Sequence, residues 1–155
     1  MKLLKNRRRW VPVFSLLAAL GASALAVAEQ PSPSVQVSIG TILASNQSDE
    51  FDAQLKGLES QLRVLKYRSY RLLKNESQSM PWYGHKDFTI PGGRFLTVTP
   101  QEIRNNQISL KVRLTQGQKP LIDTTVRIPN RGNFLLGGPP HEGGALVLSI
   151  SASAQ

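Results

Sequence analysis

DEFDAQLKGLESQLRVLK, residues 49–66, is the stretch on which the reading of the fold turns. Phe51, Leu55, Leu58, Leu62 and Leu65 recur at spacings of four, three, four and three, which gathers them on one face of a helix. Gln54, Lys56, Glu59, Gln61 and Arg63 fall largely on the other side. Ser48 suits the N-cap, Asp49, Glu50 and Asp52 bring negative charge to the first turn, and Lys66 brings positive charge to the last. Almost everything after this stretch reads as short strands. The sequence therefore predicts an α+β domain, one amphipathic helix packed on a largely antiparallel sheet of about six or seven strands, opening with a βαβ-like unit.

Working outward, Val35, Val37 and Ile39 alternate with Gln36, Ser38 and Gly40, the period-two pattern of a strand with one wet face that can extend through Ile42 and Leu43. Residues 44–48 read as the turn into the helix, and residues 67–73, with Tyr67 and Tyr70, as the second strand. Phe88 to Ile90 and Phe95 to Val98 flank Pro91-Gly92-Gly93, where proline then glycine fits the centre of a type II turn. Pro100 is expected to end the strand it follows. Ile108, Leu110, Val112 and Leu114 alternate with polar residues, and Ile122, Thr124, Val126 and Ile128 answer them beyond the loop at 116–120. Facing side chains share a face, so Leu114 should stand opposite Ile122 and Arg113 opposite Asp123. Residues 145–150 are apolar on both faces and belong in the middle of a sheet, with 151–155 a frayed tail.

The N-terminus reads as an address. Lys2, Lys5, Arg7, Arg8 and Arg9 precede an apolar run over residues 11–27, and Ala26-Val27-Ala28 supplies the small residues of a cleavage site. This is the pattern of a secretory signal peptide over residues 1–28, cut after Ala28, with a Pro/Ser linker at 29–34 and a single domain over 35–150. The expected compartment is the periplasm or the exterior, with membrane contact only through an uncleaved signal. Losing residues 1–28 removes five of the 19 basic residues and none of the ten acidic ones, leaving a net charge of +4. A charge of that size calls for no nucleic-acid partner. The chain has no cysteine, which excludes disulfides and thiol chemistry.

Candidate sites are few. Trp82 and Tyr83, in the turn-like Met80-Pro81-Trp82-Tyr83-Gly84, could stack on a sugar or anchor a protein if exposed, or cap the core if buried. Lys111, Arg113 and Arg127 fall on one wet face that could meet acidic glycan or headgroups. His141 and Glu142 lie in the glycine- and proline-rich loop 137–144, which lacks the Gly-Lys-Ser/Thr element of a phosphate loop and reads as a long hairpin connection. The two histidines, His85 and His141, with Asp87 and Glu142, could hold a metal only if the fold brought them together; no metal site and no cofactor is assigned. No Gly-x-Ser-x-Gly elbow is present, and Asp87, Glu102, Asp123 and Glu142 are scattered over separate elements, so the chain reads as a non-enzyme.

Residues 121–126 followed by 130–138, a Thr/Val-rich strand, a glycine-containing turn, an apolar strand and Gly-Gly, resemble a hairpin of outer-membrane secretins. The chain after the signal, with its opening strand, Ala44-Ser45 turn, Leu-rich helix and Tyr67-x-x-Tyr70 strand, resembles small uncharacterised exported proteins of Gram-negative bacteria. Neither resemblance implies an activity or a functional residue, and the reading of the whole sequence is a non-catalytic envelope or secretion-associated protein that acts through protein contacts, with an envelope or secretion-system protein as the expected partner. The alternative is a periplasmic glycan- or polysaccharide-binding module. The chain recovered from a bacterial envelope is expected to begin at Glu29, and its intact mass would expose a retained or differently cut leader.

Overall fold

The computed structural model describes residues 33–155. The signal peptide expected over 1–28, and most of the linker expected over 29–34, lie outside the described residues. β1 (Ser34–Ser45) holds the alternation foreseen for it along its whole length: Val35, Val37, Ile39, Thr41 and Leu43 point inward and are buried, and Gln36, Ser38 and Gly40 point outward. From Ile42 onward the outward positions turn apolar too, because Ile42 and Ala44 lie beneath the helical stretch. β8 (Gly144–Ala154) pairs antiparallel with β1 from Val35↔Ala154 to Ala44↔Ala145 and makes the same switch, with Ser149, Ser151 and Ser153 on the open half and Val147 under the helical stretch.

The other strands are β2 (Ser69–Pro81), β3 (Lys86–Ile90), β4 (Arg94–Arg104), β5 (Gln107–Gln116), β6 (Lys119–Pro129) and β7 (Gly132–His141). They form two four-stranded sheets, ordered β2-β1-β8-β7 and β3-β4-β5-β6, with every pairing antiparallel. The inner faces meet in one apolar core that joins Val37, Ile39 and Ile150 of the first sheet to Leu96, Leu110 and Val112 of the second. The chain thus meanders around a split barrel whose β8 returns to β1. Its two seams, where sequence-adjacent strands do not pair, fall between β2 and β3 and between β6 and β7.

This overturns the α+β expectation of one helix on a single six- or seven-stranded sheet. Strands that alternate apolar and polar residues need an apolar partner for one face, and here each sheet supplies that partner for the other. The βαβ-like opening fails as well, since β2 starts beside the end of β1 (Ser45↔Ser69) and runs back along it. The stretch 49–66 is a cover on one sheet's outer face: a 3-10 helix (Ala53–Leu58), one α-helical turn (α1, Glu59–Leu62) and a closing 3-10 turn (Arg63–Leu65). Gly57 inside so short a segment weakens a regular helix. Phe51, Leu55, Leu58 and Leu62 pack on Ile42, Ala44, Tyr70 and Val147 as the spacing foresaw, whereas Leu65 stays 40% exposed. The cap is Asp52 rather than Ser48, with its Oδ1 accepting from the Gln54 N–H at 3.0 Å.

Several boundaries move. β2 runs on through Lys74-Asn75-Glu76-Ser77-Gln78, and β4 passes through Pro100 by way of a bulge between Pro100 and Glu102. β8 continues to Ala154, so the tail expected over 151–155 is mostly strand. Loop 137–144 shrinks to a two-residue turn at Glu142-Gly143, both at positive φ (44° and 75°), as a type I′ hairpin requires. β6 and β7, read as a hairpin, belong to different sheets. The β5–β6 register is as expected, Leu114↔Ile122 and Arg113↔Asp123. Gly92 takes the positive φ (91°) of the foreseen turn, and β8 lies inside its sheet.

Tyr70 pins the cover to the sheet: its buried hydroxyl donates to the Leu62 carbonyl at 2.6 Å and accepts from the Tyr67 N–H at 3.1 Å. Tyr70→Phe leaves that carbonyl without its donor and is expected to lower unfolding free energy by about 1–3 kcal/mol in urea titration. An unchanged midpoint would show the cover to be independent of this bond.

Candidate functional site

The outward positions of the second sheet form rows across its strands. Thr97, Arg113 and Asp123 make one row, and Thr99, Lys111 and Thr125 the next, with Arg127 opposite Ser109 beyond them. Lys111 and Arg113, with His85, Thr97 and Thr99, line a shallow groove of about 270 Å³. Arg127 belongs to a separate small hollow beside Glu102 and Arg104. Although Arg113 stands opposite Asp123, the two do not reach ion-pair distance among the described residues. Both are exposed, and holding two long solvated side chains together gains about 0–1 kcal/mol. Asp87 is occupied by the Thr97 hydroxyl at 2.6 Å.

The aromatic turn divides its two rings. Trp82 is half-buried and packs against the core, while Tyr83 is 75% exposed at φ 66°. The Tyr83 N–H donates to the Pro100 carbonyl at 2.7 Å, which fixes the turn beside β4 and two residues from His85.

His141 and Glu142 sit at the other end of the barrel and form no free loop. Arg94, at an inward position and 8% exposed, donates from Nη1 to the Pro91 carbonyl (3.0 Å) and from Nη2 to the Pro140 carbonyl (3.1 Å), with Nη1 3.4 Å from His141 Nδ1. Its Nε is enclosed without a partner. One guanidinium therefore clasps the β3–β4 turn of one sheet to the β7–β8 hairpin of the other. Sequence reasoning passed over Arg94, although an arginine in phase with Leu96 and Val98 on an apolar face was the available signal. His85 flanks Thr97 and Thr99 well along β4, about 13 Å from the Arg94 end at strand rise, so the fold does not bring the two histidines together. Among the described residues no group of three or more His, Asp or Glu converges as a metal site would require.

The seams differ. On the inward side of β2, Lys74 donates to the Thr89 carbonyl (3.2 Å) and Gln78 to the Asp87 carbonyl (3.1 Å), and Lys74 also pairs with Glu76 at 3.1 Å. Polar side chains seal this seam. Across the β6/β7 seam no hydrogen bond forms among the described residues. The inward positions there are Ile122 and Thr124 of β6 and Phe134 and Leu136 of β7, by their pairing with Leu114, Val112, Ile150 and Leu148. All four remain partly accessible, Phe134 at 37%.

A hollow of about 490 Å³ was not foreseen. It lies where β1 ends and β2 begins, under residues 47–52, which pass along β2 through a parallel bridge from Phe51 to Tyr70. Arg68 grips Asp49 with two bonds of 2.8 Å, and those bonds, then its charge, hold the Asp49 carboxyl below the usual range. Ser45, Ser69 and Arg71 occupy inward positions where apolar residues would be expected, which is the trace of this hollow in the sequence.

No family model matches the chain, and neither does any curated protein or solved structure.

Arg94→Ala removes the clasp and its packing and is expected to cost about 2 kcal/mol. Arg113→Ala should stay within about 0.5 kcal/mol of the parent. Parallel urea titrations check both, and equal losses would contradict the assignment.

Proposed function

We propose that this chain is a non-catalytic, exported protein of the bacterial envelope that acts by protein contact, holding an extended segment of an envelope or secretion-system partner along the β6/β7 seam. The observation that carries the reading is the exposure of Thr124 and Phe134 and the partial exposure of Ile122 and Leu136, all at core-facing positions. Two unpaired strand edges flank them, so an added strand would gain backbone hydrogen bonds and seat alternate side chains against the core. Pro120 and Pro129 blunt the ends of β6, and Pro139-Pro140 blunts the far part of β7, which leaves a short window for docking. The matching segment has apolar residues at every second position. Export rests on the basic and apolar pattern of residues 1–28.

A second reading, an acidic-polysaccharide module, draws on exposed Tyr83 near the groove of His85, Lys111 and Arg113. A photoreactive phenylalanine analogue placed at position 134 of the full chain in cells distinguishes the two. The docking reading expects one discrete protein adduct, absent with the analogue at Ser79 on the outer face of β2 and lost on Thr124→Lys. The same adducts from both positions, or none from 134, would count against it. Retention on an acidic polysaccharide that Tyr83→Ala abolishes would favour the second.

A further inference from the structure

We propose that the hollow at the ends of β1 and β2 binds a small uncharged saccharide, one or two hexose units. This is a site apart from the β6/β7 seam and does not depend on it. Ser45 and Ser69 face each other across the β1–β2 pairing and are 7% and 8% exposed, and both line the hollow. Neither hydroxyl has a hydrogen-bond partner among the described residues. Nor is either sealed in protein, since Nε of Arg94 is the one enclosed side-chain polar atom left unpaired among those residues. Two nearly buried hydroxyls therefore open onto a concavity with their bonding capacity unspent. Buried polar groups are ordinarily satisfied, and a ligand that pairs them recovers that missing interaction.

The lining selects the ligand class. A hydroxyl both donates and accepts, which suits another hydroxyl better than a fixed ion. Asp52 has little bonding capacity left for a ligand, because Oδ1 already accepts from the Gln54 N–H (3.0 Å) and Oδ2 from the Leu72 N–H (3.1 Å). Glu50 and Arg71 remain free to bind, one of each sign and both exposed at the rim, so the groups open to a ligand do not select an ion of either sign. Carboxylate and guanidinium each present two bonding atoms in a plane, a spacing that vicinal hydroxyls match. Leu43 and half-buried Phe51 add an apolar surface for the C–H face of a pyranose. The volume, about 490 Å³, falls within the range of roughly 300–1,000 Å³ usual for small-molecule sites. A free amino acid would place its two charges on the rim and leave the buried hydroxyls unused.

The test is NMR titration of the chain with glucose, N-acetylglucosamine and their β-linked disaccharides, with alanine as the zwitterionic comparison. Saturable shifts confined to residues 43–52 and 69–71 are expected for at least one sugar and not for alanine. Ser69→Val, with its fold checked by circular dichroism, should weaken that sugar about tenfold. Glu50→Gln, at the exposed rim, should weaken it severalfold and serves if Ser69→Val does not fold. No saturable shift with any sugar, shifts with alanine instead, or sugar affinity indifferent to the folded variants would overturn the assignment.

Discussion

The antiparallel pairing of β1 with β8 is the contact on which the rest depends. It joins the two ends of the described domain, running from Val35↔Ala154 to Ala44↔Ala145, and gives both strands neighbours on each side. Their inward residues supply a large share of the central core. Their outward residues decide where the helical stretch can lie, because the change from Ser149, Ser151 and Ser153 to Val147 is matched on β1 by the change from Gln36 and Ser38 to Ile42 and Ala44. A single apolar corner on an otherwise polar face thus positions residues 53–65. With the cover in place, residues 47–52 pass the end of β1 and the start of β2, and the hollow of about 490 Å³ is built there. Packing on one face of two strands has fixed a concavity beside the other.

How much of this was legible depended on what each segment buries. β1, β5 and β6 show their alternation because one side faces the core and the other faces water, and the β5–β6 register follows to the residue. The second half of β2 was invisible because its inward positions, Lys74, Glu76 and Gln78, close a seam and enter no core. Polar residues on both faces leave no hydrophobic period to read. Residues 151–154 were hidden in a related way, with small residues that look like a tail until β1 is placed beside them. The helical stripe was visible but given too large a role, since periodicity reports which face is covered and not how much of the core it forms.

Site residues divide along the same line. Lys111 and Arg113 were placed together because strand parity is local, and the structure keeps them together. His85 and His141, or Trp82 and His141, could not be related without knowing that the turns holding them lie well apart along the barrel. Ser45 and Arg94 share another property: each is a polar residue in phase with an apolar row. Such residues look like noise in a period-two pattern, yet one lines the hollow and the other makes the clasp between sheets.

The two seams show why the opening between β6 and β7 is a formed feature of the domain. At one end the chain passes from β6 to β7 through Asn130 and Arg131 alone. That joint is tied down, with the Asn130 N–H on the Asn106 carbonyl (2.8 Å) and the Arg131 N–H on the Ala152 carbonyl (2.9 Å). At the other end Arg94 holds Pro140 and His141 of β7 against the β3–β4 turn. β7 is therefore anchored at both ends, and the gap beside it stays where those anchors set it. A partner strand entering there would find its edges already in position, which spares the ordering cost that a mobile edge imposes on binding. The opposite seam could have been left open by the same meander but is crossed by Lys74 and Gln78. On the docking reading proposed above, sealing one edge with polar side chains while leaving apolar core residues at the other would restrict strand addition to a single place on the molecule.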